Sequence, residues 1–256
     1  MKSPFKRDAF GNILIVKRII IFLFGALTYY RFNMANRTVV RGTRNLIGLP
    51  DTKVLFVSNH QTYFADVAAM IHVFGCVKWK VHNRIDFFWH LFNPKLNIYF
   101  IAAVETMRKG LLPRLFAYVG SVSIKRTWRA AGQDVDRGVD PQDVRKIQTA
   151  LENGWVITFP QGTTKPFVPG RRGTARLIKE HRPIVIPVVV EGFRRAFNKR
   201  GLLMKKRGVE LSLTFKPALD IDYEGSADAI LAQIMDSIEQ SERFQKRKSI
   251  RQFSGQ

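Results

Sequence analysis

The sequence predicts an α/β protein: a mostly parallel sheet covered by helices on both faces, preceded by an N-terminal membrane-associated helical segment. Three observations carry that expectation. Short apolar runs such as Val54 to Val57 and Trp155 to Phe159 read as buried strands, and they alternate with stretches of helical composition. Ile184 to Val190 is a β-branched run of the kind found inside parallel sheets. Ahead of all of these, Ile13 to Tyr30 is an apolar segment interrupted by Lys17 and Arg18 and followed by Arg31. The expected division is residues 1–35 for the membrane-associated helix and 36–256 for the α/β domain with its basic C-terminal helix and tail.

The elements follow in order. Residues 1–12 are polar and basic. Ile19 to Leu27 is free of charge but too short to span a bilayer, which needs about 20 residues. No small-residue cleavage site follows it, so it reads as a retained segment. Its basic flanks and Tyr29-Tyr30 suit partial insertion into one leaflet, and an apolar helix packed into the core is the alternative. Arg37 to Arg44 reads as an edge strand and turn. Val54 to Val57 is the central strand, and Thr62 is a plausible N-cap for the apolar helix behind it. Val77 to Val81, alternating with Lys78 and Lys80, is expected to be a half-exposed strand.

Tyr99 to Val104 is another apolar run. Arg108 to Tyr118 is basic and apolar, suited to a membrane surface, an acyl groove or plain core packing. Gly120 to Arg126 is a short strand ending in two cations, and Thr127 to Pro141 reads as a loop. Asp143 to Asn153 is a helix closed by Asn153-Gly154, and Trp155 to Phe159 is a strand running into Pro160-Gln161-Gly162-Thr163-Thr164. A helix over Thr174 to Glu180 leads to the Ile184 strand. Val209 to Phe215 is expected nearer the sheet edge. Ser226 to Arg243 is an amphipathic helix capped by Ser226.

The 256 residues carry 42 Lys and Arg against 20 Asp and Glu, a formal net charge of +22. Such a chain seeks polyanions: an anionic membrane face, an acidic protein or nucleic acid. The cations are spread along the sequence without a nucleic-acid-binding motif, so nucleic acid is not expected as a partner. The single cysteine, Cys76, excludes an internal disulfide and a cysteine-based metal cluster, and its apolar neighbours make it a core residue.

The stretch that carries chemistry is Ser58-Asn59-His60-Gln61-Thr62-Tyr63-Phe64-Ala65-Asp66. A His and an Asp just beyond a strand end are a candidate general base and its orienting carboxylate. Positions i and i+6 lie far apart around a helix. The pair can meet only if His60 sits in the loop and Asp66 on the first helical turn. The structural alternative makes His60 a backbone cap and Asp66 a first-turn residue favoured by the helix dipole. Lys125 and Arg126, and the loop from Pro160 to Gly173, also follow strands, where open α/β sheets bind their ligands.

These stretches, in this order, resemble the glycerolipid acyltransferase superfamily of glycerol-3-phosphate and 1-acylglycerol-3-phosphate acyltransferases. The resemblance runs from about Arg37 to Phe215. Its blocks are Asn59-His60 with Asp66, Gly120 to Arg126, Phe159-Pro160-Gln161-Gly162-Thr163-Thr164, and Val185-Ile186-Pro187-Val188. The resemblance implies transfer of a fatty acyl group from acyl-CoA or acyl carrier protein to a hydroxyl of a lipid precursor, with 1-acylglycerol-3-phosphate the leading acceptor and no further cofactor or metal. His60 would be the general base and Asp66 its orienter. Asn59, Lys125, Arg126, Gln161, Gly162, Thr163, Thr164, Arg171 and Arg172 are the candidates for substrate binding. The enzyme is expected on the cytoplasmic face of the inner membrane, peripheral or monotopic.

The chain departs from the family pattern in three places. Five residues rather than four separate His60 from Asp66, Gln161 stands for a Glu, and Thr164 stands for an Arg. The last two fall on acceptor recognition and keep open an acceptor such as an N-acyl amino acid. A non-catalytic membrane-associated scaffold is the other alternative. A hydrolase would need a nucleophile elbow such as Gly-x-Ser-x-Gly, which is absent.

Overall fold

A computed structural model describes residues 5–107, 110–125, 129–130, 133–134 and 140–246. The first helix, α1 (Leu14–Asn33), leads into the edge strand β1 (Arg37–Arg41). β2 (Val54–Ser58) and α2 (Ala65–Lys78) follow, then β3 (Ile98–Ala103), the short α3 (Val104–Met107), α4 (Leu111–Gly120) and β4 (Ser121–Ile124). A two-residue ribbon, β5 (Arg129–Ala130) with β6 (Gln133–Asp134), lies within the stretch expected to be loop. Then come α5 (Pro141–Asn153), β7 (Trp155–Thr158), α6 (Arg172–His181), β8 (Ile184–Glu191), α7 (Phe193–Ala196), β9 (Glu210–Phe215) and α8 (Ala227–Ser237).

Seven strands form one sheet in the order β1-β9-β8-β2-β7-β3-β4. All neighbours are parallel except β8 and β9. β2 is central, and its four apolar residues are fully buried. Their pleat divides them between two cores. Val54 and Phe56 pack with Phe74 of α2, Phe116 of α4 and Trp155. Leu55 and Val57 pack with Ile147 of α5, Ile178 of α6 and Ile234 of α8. Helices therefore cover both faces, as the alternating pattern predicts.

Several local expectations are corrected. Val77 and Lys78 end α2, and Trp79 and Lys80 form the turn behind it, so no strand runs from Val77 to Val81. α2 is buried on nearly every side, which removes the 3.6-residue stripe that would have marked its end. α8 is capped by Ser226, whose hydroxyl accepts from the Ala229 amide, but it stops at Ser237 rather than near Arg243. Glu239 adopts φ 59°, and the Gln240 amide turns back to the Met235 carbonyl.

Lys17 is fully buried. Its ammonium pairs with Asp8 at 3.3 Å and lies 4.9 Å from the centre of the Tyr99 ring. Burial lowers its pKa, and Asp8 opposes the shift. This cation faces the protein interior and not a lipid surface. The opposite side of α1 exposes Ile15, Ile19, Leu23, Leu27, Tyr30 and Met34. No helix among the described residues is long and apolar enough to cross a membrane.

Beneath α1 runs a buried polar chain. The Thr28 hydroxyl lies 2.8 Å from His72 Nε2, His72 Nδ1 lies 3.0 Å from His90 Nε2, and His90 Nδ1 contacts the Phe87 carbonyl. His90 Nδ1 donates to the carbonyl and His72 Nδ1 to His90, with both rings neutral, and the single Thr28 proton is shared between His72 Nε2 and the Phe24 carbonyl at 2.8 Å. Burial lowers the pKa of both histidines, and the neighbouring His90 lowers that of His72 further.

Candidate active site

Three turns, those after β2, β7 and β8, meet at the carboxyl ends of the central strands. After β2 the backbone leaves the sheet, but the Asn59 side chain continues its ladder. Asn59 Nδ2 donates to the Val190 carbonyl at 2.8 Å, and the Val190 amide donates to Asn59 Oδ1 at 2.8 Å. A carboxylate here would lack the donor, so the amide is chemically specified. Gln61 makes a second contact to the Val190 carbonyl, at 3.0 Å.

His60 and Asp66 meet. His60 Nδ1 lies 3.0 Å from Asp66 Oδ2, with the imidazole 12% exposed and the carboxylate fully buried. The same Oδ2 accepts the Gln61 amide at 2.6 Å and the Thr62 amide at 3.1 Å, and Oδ1 accepts the Thr62 hydroxyl at 2.8 Å. Asp66 sits on the first turn of α2, so the five-residue separation is absorbed by the loop that wraps the carboxylate. Thr62 is therefore a partner of Asp66 and not the helix cap; Phe64 occupies the N-cap position without a side-chain bond. An ionised Asp66 accepts only, so Nδ1 carries the proton and Nε2 keeps its lone pair. The imidazole stacks on Phe159 with centroids 3.8 Å apart and planes 22° apart. No hydrogen bond to Nε2 occurs among the described residues, so this nitrogen can take a proton from a substrate.

The loop after β7 lies beside this pair because β7 adjoins β2. Gln161 is buried, and its side chain is engaged within its own loop and with Gln240. Its Nε2 donates to the Val168 carbonyl at 2.9 Å and approaches Gln240 Oε1 at 3.4 Å, and that oxygen also takes the Phe167 amide at 2.9 Å. A Glu could not donate to Val168, so this Gln braces the loop. Gly162 turns the chain with φ 62°. The Thr163 hydroxyl accepts the Lys165 amide at 3.3 Å. Thr164 is buried, and its carbonyl receives the Arg194 guanidinium.

The remaining candidates are more dispersed. β4 lies three strand positions from β2, about 14 Å at the usual spacing. Lys125 there is exposed and pairs with Asp140 at 3.2 Å, while its amide donates to Asp143. Arg126 lies outside the described residues. The Arg171 amide donates to the Pro160 carbonyl at 2.8 Å. Arg172 forms a two-bond pair with Asp228 of α8, at 2.7 and 2.8 Å. Cys76 is buried, and burial pushes its thiol up to about 12, which suits a core residue.

Sequence reasoning missed Arg194. It follows β8, its amide donates to Gln61 Oε1 at 3.1 Å, and its guanidinium reaches Thr164. It thus ties the loops after β2, β7 and β8 and brings a cation beside position 164. The signal available was the Arg194-Arg195 pair directly after an interior strand.

The class is thus an α/β protein whose mostly parallel sheet carries a histidine–carboxylate pair at its carboxyl edge. The acyltransferase family model matches residues 37–191, a span that includes every turn of this site but α7, and the chain belongs to that family: it is an acyltransferase. In fold it is similar to the crystal structure of the 1-acyl-sn-glycerophosphate (LPA) acyltransferase PlsC from Thermotoga maritima, with a TM-score of 0.57 and 18% identity over 90% of this chain and 79% of that one. No curated protein matches the sequence.

Proposed function

We propose that the protein moves a fatty acyl group from a thioester donor, acyl-CoA or acyl carrier protein, to a hydroxyl of a lipid precursor. The observation that carries this reading is the His60–Asp66 pair with an unengaged Nε2. The acceptor hydroxyl loses its proton to His60 Nε2 as its oxygen attacks the thioester carbonyl. Asp66 stabilises the imidazolium that forms and fixes the ring. The tetrahedral intermediate then expels the thiolate, which recovers the proton from His60. The products are an ester and a free thiol, and no covalent enzyme intermediate is required.

The leading acceptor is 1-acylglycerol-3-phosphate, its phosphate held by Arg194 and by the exposed Lys165. Thr164 and the inward-turned Gln161 favour a second reading, in which a smaller anion such as the carboxylate of an N-acyl amino acid occupies that place. The exposed stripe of α1 would seat the enzyme on one leaflet of an anionic membrane, at its cytoplasmic face. The test is acyl transfer by purified full-length protein, wild type beside His60→Ala, with both donors and a panel of lysolipids, glycerol phosphate and N-acyl amino acids. Loss of transfer in His60→Ala supports the reading. Equal turnover in the variant overturns it.

A further inference from the structure

The segment between β8 and β9 is unlike the rest of the surface. Arg194-Arg195, Lys199-Arg200 and Lys205-Lys206-Arg207 place seven cations within fourteen residues, and no Asp or Glu occurs from 192 to 209. All seven are exposed. None of the seven is in an ion pair among the described residues, and what sets them apart is their density without an intervening acid. So much unpaired like charge repels itself and is tolerated best where an anionic partner neutralises it.

The segment is also fastened to the catalytic loop. The Tyr63 amide donates to the Lys199 carbonyl at 3.0 Å, and the Phe64 amide to the Arg200 carbonyl at 3.1 Å. Gly201, at φ 76°, packs so closely that a Cβ would lie 2.6 Å from the Ala65 amide nitrogen. A body docked on these cations therefore lies against the loop that holds His60.

We propose that this basic segment is the docking surface for an acidic carrier protein that presents the acyl group on a flexible thioester arm. The inference rests on the acyl-transfer reading and names its donor. A bilayer fits the segment less well. Leu203 is its only large apolar side chain exposed among the described residues, and although Arg31 at the end of α1 reaches the Leu202 carbonyl, the exposed apolar side chains lie along α1 and not among the seven cations. The cations also fall in three groups rather than converging on one point, as a cradle for the phosphates of a small cofactor would.

The test uses full-length protein in neutral detergent, with palmitoyl carrier protein and palmitoyl-CoA as alternative donors. Arg200, Lys205, Lys206 and Arg207 are changed together to Glu. The expected result is a loss of about 30-fold in kcat/KM with the carrier-protein donor, mostly in KM, with CoA turnover changed less than about threefold. Raising salt from about 50 to 300 mM should slow the wild type with the carrier donor far more than with CoA. Equal loss with both donors overturns the proposal, as does a wild type that uses CoA but not the carrier, or a variant defective only in binding anionic vesicles. Calorimetric titration with the unacylated carrier protein reads docking without turnover. Binding that the Glu variant loses upholds the surface even if the acyl-transfer reading fails, and no binding by wild type refutes it.

Discussion

Replacing Asp66 with Asn separates the electrostatic role of the carboxylate from its architectural one. Asp66 accepts four hydrogen bonds, three on Oδ2 and one on Oδ1. An Asn oxygen in the Oδ2 position keeps the Gln61 and Thr62 amides and the His60 bond, and its NH2 can donate to the Thr62 hydroxyl if that hydroxyl turns. The loop should survive, at a cost of about 1–2 kcal/mol in stability. What disappears is the negative charge 3.0 Å from the imidazole. At an effective dielectric of about 20, a pair of charges roughly 4 Å apart is worth about 4 kcal/mol. At about 1.4 kcal/mol per decade, kcat should fall about a thousandfold with KM changed only a few-fold. The assay is thiol release from the acyl donor with the acceptor that the wild type prefers, beside a denaturant melt. Asp66→Ala, which removes the acceptor of four donors, should cost about 3–6 kcal/mol and is the control for folding. If Asp66→Asn keeps more than about a tenth of wild-type kcat, the carboxylate only shapes the loop, and the reasoning from ion pairing to catalysis is wrong.

Other predictions follow from the same contacts. Phe159→Ala removes the ring against which His60 stacks and should lower kcat about 3- to 10-fold with a near-native melt. Leu23→Asp with Leu27→Asp should weaken flotation with anionic vesicles by more than about a hundredfold while leaving transfer to a detergent-dispersed acceptor intact. Lys17→Met strands buried Asp8 and should cost about 3 kcal/mol, and adding Asp8→Asn should recover part of it by denaturant titration. His72 and His90 have depressed pKa values in the folded state, so the unfolded chain takes up their protons first as pH falls below about 6.5. Stability from these groups is therefore present above that pH and lost below it, by up to about 1.4 kcal/mol per histidine per pH unit. Urea melts between pH 7 and 5 should show the slope, and His72→Gln should reduce it.

What was legible in the sequence is what local pattern controls. The all-apolar β2 and the β-branched β8 announce themselves because both faces of each strand are covered. The His60–Asp66 contact was legible as a condition, namely that the helix begin just before Asp66, and α2 begins at Ala65. The rest depended on tertiary partners. Lys17 reads as a membrane-facing cation until Asp8 and Tyr99 are seen to enclose it. Gln161 reads as a weakened acceptor ligand until Val168 and Gln240, the latter 79 residues away, turn it into a brace. Arg194 has no spacing signal, because its partners Gln61 and Thr164 come from two other loops.

The reversal of β9 against β8 has a consequence for how new specificity can arise in this chain. A parallel successor to β8 would have required a crossover of a dozen or more residues down the face of the sheet, hiding most of its side chains. Because β9 runs back instead, residues 192–209 stay at the catalytic end as a hairpin excursion. The excursion is anchored at three places: Phe193, Ala196 and Phe197 are buried at one end, Val209 at the other, and Gly201, Leu202 and Met204 pack between them, which leaves the cationic side chains free of the core. Substitution of the exposed side chains at 203 and 205–207 can change who is admitted to His60 while the 199–201 backbone keeps its hold on the catalytic loop.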